Sequence, residues 1–170
     1  MRKAFTLIEL MISISILSIM MIFLYKSYAS VNMSNKFYKK KVELIKSQQL
    51  KKKIIFLDFS LASAKSTAII NQDKNEDSIF LQSSNSMHKL YNPYVTYIVK
   101  DSKLYRLESL KAFFQHELSQ GVEFSAECFG EVNSFRVYKS SEKKKEIYLI
   151  HIDFKDDENI LLKVKVLNES

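Results

Sequence analysis

One carboxylate stands inside the most apolar part of the chain. Residues 5–24 are apolar or small hydroxyl types at nearly every position, and Glu9 is the only charged residue among them. A carboxylate at mid-bilayer costs about 3 kcal/mol, and somewhat less near an interface. Two readings of Glu9 follow: a functional group with a cationic partner, or a side chain that snorkels to the headgroups. The other residues with chemical potential are scattered. His88, His116 and His151 have neither H-E-x-x-H nor closely paired histidine spacing, and Cys128 is the only cysteine. They read as structural or surface residues, with no metal site and no disulfide framework. Asp153, Asp156, Asp157 and Glu158 cluster. They lack the ligand spacing and glycine of a calcium loop, and read as a solvated turn. Ser60, Ser63 and Ser66 sit in no nucleophile elbow. Two glycines in the whole chain leave no material for a phosphate-binding loop. The expectation is a protein without catalytic residues, metal or cofactor.

The element that positions Glu9 is set by length. Twenty residues in a helix span about 30 Å, the thickness of a bilayer core. A segment in lipid must satisfy its own backbone groups, so it is helical there. Thr6, Ser13, Ser15 and Ser18 are expected to return their hydroxyls to backbone carbonyls one turn back. Met1-Arg2-Lys3 suits the start of a secretory signal, but the apolar run is too long and no small-x-small cleavage site follows. An uncleaved single-pass anchor is an alternative. Arg2 and Lys3 precede the span, whereas Lys26, Lys36, Lys39, Lys40 and Lys41 follow it. The positive-inside rule would place that second flank in the cytoplasm, so charge alone does not decide the topology.

Beyond the span the helical pattern continues. Val31, Tyr38, Val42, Ile45, Ile54, Leu57 and Leu61 recur at three- to four-residue steps, with a break near Gln49. This predicts one helix from residue 5 to about 64, whose outer half buries one face against a globular domain. Residues 66–75 are polar and read as a loop. Strands are predicted at 78–82, 94–100, 103–108, 122–126, 134–139, 146–154 and 160–167, several with clean alternation. Asp101-Ser102 suits a two-residue hairpin turn, residues 156–159 a longer turn, and residues 110–118 a short helix. The fold class is α+β: a long N-terminal helix on an antiparallel sheet.

The formal net charge is +7, much of it in lysine runs at 39–41, 51–53 and 143–145. Such an excess suits nucleic acid or an anionic membrane. The runs lack interleaved arginine and stacking aromatics, so a solvated lysine-rich surface is the simpler reading.

Arg2-Lys3-Ala4-Phe5-Thr6-Leu7-Ile8-Glu9-Leu10 resembles the processing and methylation signal of type IV prepilins and pseudopilins. The resemblance covers about the first 25 residues. It implies a leader at residues 1–4, a membrane and assembly helix at 5–25, an amphipathic continuation at 26–64 and a β-rich periplasmic domain at 65–170. It implies cleavage by a prepilin peptidase between Ala4 and Phe5, and N-methylation of Phe5. It assigns assembly to Glu9, with Thr6 beside it. Glu9 would pair with the N-terminal amine of a neighbouring subunit, and opposite charges in a low-dielectric bundle offset each other's desolvation. It places the leader inside and the C-terminal domain outside the inner membrane, with an inner-membrane assembly platform and other pilins or pseudopilins as partners. Ala4 stands where the family usually has glycine. Neither proline nor glycine interrupts residues 5–35, which favours a minor subunit or pseudopilin.

Residues 94–106, ending in Leu104-Tyr105-Arg106, are similar to a hairpin of J-type minor pseudopilins and W-type minor pilins. Val122-Glu123-Phe124 and a final strand pair follow in the order of that group. The function implied is a subunit of a periplasmic or surface fibre serving type II secretion, a type IV pilus or DNA uptake. The alternatives are a fibre-tip module that contacts DNA or a surface through a lysine-rich face, and a plain anchored protein.

Overall fold

A computed structural model describes residues 6–63, 66–73, 75–112, 123–140, 146–156 and 158–167. The chain forms two compact units, Met1–Lys46 and Ser47–Ser170. The described part of the first is helical throughout after Thr6. The second holds the last turns of the same helix, α1 (Leu7–Ser60), and seven strands. These are β1 (Ala68–Asp73), β2 (Glu76–Gln82), β3 (Tyr94–Lys100), β4 (Lys103–Ser109), β5 (Ser125–Lys139), β6 (Ile147–Phe154) and β7 (Ile160–Lys165). The expected α+β arrangement is present: a long N-terminal helix with an antiparallel sheet.

The strands lie in chain order, each antiparallel to the next. The β3–β4 hairpin turns at Asp101 and Ser102, with φ of 51° and 58°. Two left-handed central residues match the right-handed twist of the flanking strands, which is why a polar pair without glycine closes this hairpin. β5 serves two neighbours. Its first half pairs with β4 from Ser125 to Glu131, and its second half with β6 from Val132 to Lys139. Where β5 leaves β4, its freed edge meets β2 in a parallel contact, Glu76 opposite Phe135. Phe135 N–H donates to the Asn75 carbonyl at 2.9 Å, and Val137 N–H donates to Asp77 Oδ2 at 2.8 Å. The Asp77 carboxylate thus replaces a missing strand carbonyl, and β2 to β5 close into a ring.

The last turns of α1 fill the sheet's inner side. Ile55 and Phe59 are buried among Leu81, Val95, Tyr97, Phe135, Tyr148 and Ile150. Phe59 lies 5.6 Å from the Tyr148 ring and 6.2 Å from that of Tyr97. Complete burial of such a side chain contributes roughly 2–3 kcal/mol.

Several expectations are corrected. α1 ends at Ser60, before 64, because the chain turns extended to reach β2: Ala62 bridges Ser83, and Ser63 N–H donates to the Gln82 carbonyl at 2.8 Å. The predicted stripe is buried only at Ile54, with Leu57 and Leu61 half-buried; Val31, Tyr38, Val42 and Ile45 are exposed. Residues 66–75 contain β1, which pairs with β2 as an edge strand; its described side chains are at most half-buried, which left no alternation to read. Of the strands expected at 122–126 and 134–139, residues 125–126 and 134–139 lie at the two ends of one strand, β5; Glu123 and Phe124 are not in a strand, and Val122 lies outside the described residues. Bulges opposite Leu104–Tyr105 and at Val132–Ser134, with Gly130 at φ 126°, break the two-residue period between them. Residues 110–112 are not helical, and 113–118 lie outside the described residues.

Candidate functional site

Two constellations combine charge with defined geometry, one at each end of α1. At the start, Thr6 precedes the first helical residue and Glu9 lies in the first turn. Thr6 N–H donates to Glu9 Oε2 at 3.0 Å, and the Thr6 hydroxyl donates to the same oxygen at 2.9 Å. Glu9 N–H returns a bond to Thr6 Oγ1 at 3.4 Å. This is a reciprocal capping box. The Thr-x-x-Glu spacing was visible in the sequence, where Thr6 was expected to bond backward along the helix. Three other hydroxyls do bond backward: Ser13 to the Glu9 carbonyl, Ser15 to Met11 and Ser18 to Ile14, each at 2.8 Å. The cap orients the Glu9 carboxylate and satisfies the Thr6 N–H. Ala4 and Phe5 lie outside the described residues.

α1 is long and apolar enough to cross a membrane, and none of its most apolar window is buried within the structure. Leu7, Ile8, Ile19, Phe23 and Leu24 are all exposed. An unbroken, exposed apolar helix needs lipid or other helices around it.

The second constellation was not anticipated. Asp58, in the last turn of α1, is fully buried, as are Tyr97 and Arg106, which face each other across β3 and β4. Arg106 Nε donates to Asp58 Oδ2 at 2.7 Å and Nη2 donates to Oδ1 at 3.1 Å. Tyr97 hydroxyl donates to Asp58 Oδ2 at 2.5 Å, and Asn85 Nδ2 donates to Oδ1 at 2.7 Å. Arg106 Nη1 reaches Glu108 Oε2 at 2.7 Å. Glu108 also accepts the Ser86 hydroxyl and the Met87 N–H, and lies 3.2 Å from His88 Nδ1.

The electrostatics follow from these contacts. Burial works against the Arg106 charge, but Asp58, Tyr97 and Glu108 outweigh it and raise its proton affinity further. Burial alone would raise the Glu108 pKa. Arg106, Ser86, the Met87 amide and His88 overcome it and hold the carboxyl at about 2. Burial, then the Asp58 carboxylate, push the Tyr97 phenol well above its ordinary value. The network's groups are bonded to one another. It braces the helix end against the β3–β4 hairpin and fastens the loop at Asn85–His88. Its parts lie 48 residues apart in the chain, so no local spacing could disclose it. His88, read as a structural or surface residue, is exposed and meets Glu108 at the edge of that loop.

His151 is half-buried on β6, Cys128 is exposed on β5, and His116 lies outside the described residues. Asp153 accepts a hydrogen bond from Asn133 at 3.4 Å.

A family model, the prokaryotic N-terminal methylation motif, matches residues 1–25. The match supports a type IV pilin-like family and implies processing by a prepilin peptidase and assembly with other pilins. With the exposed apolar helix, it suits a membrane-anchored pilin. No curated protein and no solved structure shows significant similarity to the chain.

Proposed function

We propose that this chain is a minor pilin or pseudopilin, inserted in the inner membrane and then built into a periplasmic or surface fibre for type II secretion, pilus biogenesis or DNA uptake. The observation that carries this reading is the capped Thr6–Glu9 pair at the head of an unbroken, exposed apolar helix. Prepilin peptidase cuts between Ala4 and Phe5 on the cytoplasmic side, and Phe5 becomes the methylated first residue. The Ser47–Ser170 unit then lies in the periplasm. Assembly extracts α1 from lipid and packs it among other helices, with Glu9 facing the amine of a neighbouring Phe5. The role is mechanical, not enzymatic, and the inner-membrane platform supplies the force.

In the monomer the Glu9 carboxylate already accepts two bonds from Thr6. An incoming amine adds charge compensation to a group that is already oriented. The test is the mature N-terminus, read by mass spectrometry in cells with and without prepilin peptidase. A methylated Phe5 terminus that depends on the peptidase is expected. An intact Met1 in peptidase-active cells sinks the reading.

A further inference from the structure

Residues 26–46 of α1, which follow the apolar span, are strongly cationic. They hold Lys26, Lys36, Lys39, Lys40, Lys41 and Lys46 against one acid, Glu43. All seven side chains are exposed, and none has an ion pair or side-chain hydrogen bond among the described residues. The Met1–Lys46 unit has one other acid, Glu9, which is bonded to Thr6 at the far end of the helix. At 3.6 residues per turn, Lys36, Lys39, Lys40 and Lys46 share about one third of the helix circumference. Lys36 stands one turn from both Lys39 and Lys40, so these charges repel one another. Exposed apolar side chains flank the lysines: Tyr38, Val42 and Ile45 on one side, Met33, Phe37 and Leu44 on the other.

Resting on the fibre assembly proposed above, we infer that this stretch packs against the helix of a pilin of different sequence, one that sets carboxylates opposite these lysines. Cations bordered by apolar strips suit a helix-to-helix contact in which the apolar groups pack and the charges select the partner. A second copy suits it badly. Stretch against stretch, two copies set six lysines and one glutamate against the same set; stretch against span, the lysines meet a segment whose one charge is Glu9. Lipid headgroups suit it badly too. Lys26 lies two residues past Leu24 and reaches them, but Lys36 to Lys46 lie about 18–33 Å along the helix from Leu24. At an average tilt of about 20° this exceeds the screening length of about 8 Å. The helix neighbours in the fibre are therefore unlike this chain, and copies of it do not stand side by side.

The test places a photo-crosslinking side chain at Val42, one turn from both Lys39 and Lys46, in the full chain in its native cells. The mature N-terminus is read in the same cells. The expected result is an adduct to a pilin of different sequence, at a segment rich in Asp and Glu. Lys39→Glu with Lys46→Glu should reduce the adduct about tenfold, and the milder Lys39→Gln with Lys46→Gln about threefold. Membrane insertion and Phe5 methylation should be unchanged. Lysine at the partner's mapped carboxylates should restore the adduct. The inference is overturned by an adduct to a second copy, to phospholipid alone or to a segment without acids, and by an adduct indifferent to charge reversal. It is also overturned if the full chain in micelles binds duplex DNA at low salt and the two Glu substitutions abolish that binding. A methylated Phe5 with no adduct overturns this inference alone; an intact Met1 overturns the fibre reading and this inference with it.

Discussion

α1 carries an acid in its first turn and another in its last, and the two are stabilised by opposite means. Glu9 sits at the end where helix N–H groups point outward, so the helix dipole favours its charge. Among the described residues Thr6 completes its local bonding, and the carboxylate remains exposed. Asp58 sits where carbonyls point outward, which disfavours a negative charge, and α1 has no basic residue of its own in that turn. Asp58 is tolerated because Arg106, Tyr97 and Asn85 converge on it from β3, β4 and the loop before β3. The exposed acid at the helix start can still accept a partner. The buried acid has all its partners within the chain, and its role is to lock.

This contrast can be broken by experiment. The largest effect is functional: Glu9→Ala should abolish fibre incorporation while leaving membrane insertion and the melting of the Ser47–Ser170 unit unchanged. Normal assembly of that variant would show that Glu9 is not the assembly group. Next comes Arg106→Met, which strands Asp58 and Glu108 as buried charges. It should cost about 3–5 kcal/mol in denaturant unfolding of the full chain in micelles. A loss below about 1 kcal/mol would mean that the network does not brace the fold.

The smallest effect is on pH dependence. Glu108 is held at about 2 in the folded protein against an ordinary value of 4.5. Its folded value is the lower one, so its stabilisation is complete above about pH 5 and is lost as pH falls towards 2. Melting temperature should decline through that window, and Glu108→Gln should remove part of the slope. Identical slopes in the two proteins would assign the acid sensitivity elsewhere.

Local features were legible, and distant ones were not. Asp101-Ser102 marked its hairpin because two adjacent polar residues tolerate left-handed backbone, and β3 spans residues 94–100 as alternation predicted. The span was legible from its length, and Glu9 from its isolation. β1 is not legible because an edge strand need not bury a face, and β5 reads as two separate strands because its bulges interrupt the period. The continuation of α1 past Ile45 showed the right residue types. Its packing face could not be phased from them, since Ile55 and Phe59, the most buried apolar side chains of α1, lie off the predicted stripe. Arg106 had been noted only as part of a hairpin resemblance. Its counter-ions come from Asp58 and Glu108, and only the folded chain brings Asp58 to it.

The closure of β5 on β2 has a consequence in time. Every other ladder joins strands adjacent in sequence, so each can form soon after its own turn does. The contact of Glu76 with Phe135 spans both intervening strands and must wait for them. The order of assembly is therefore hairpins first and ring last, with the Asp77 carboxylate as the latch. In hydrogen exchange, the Phe135 and Val137 amides should be released before those at the centre of the β3–β4 ladder, because the last contact to form is the first to open.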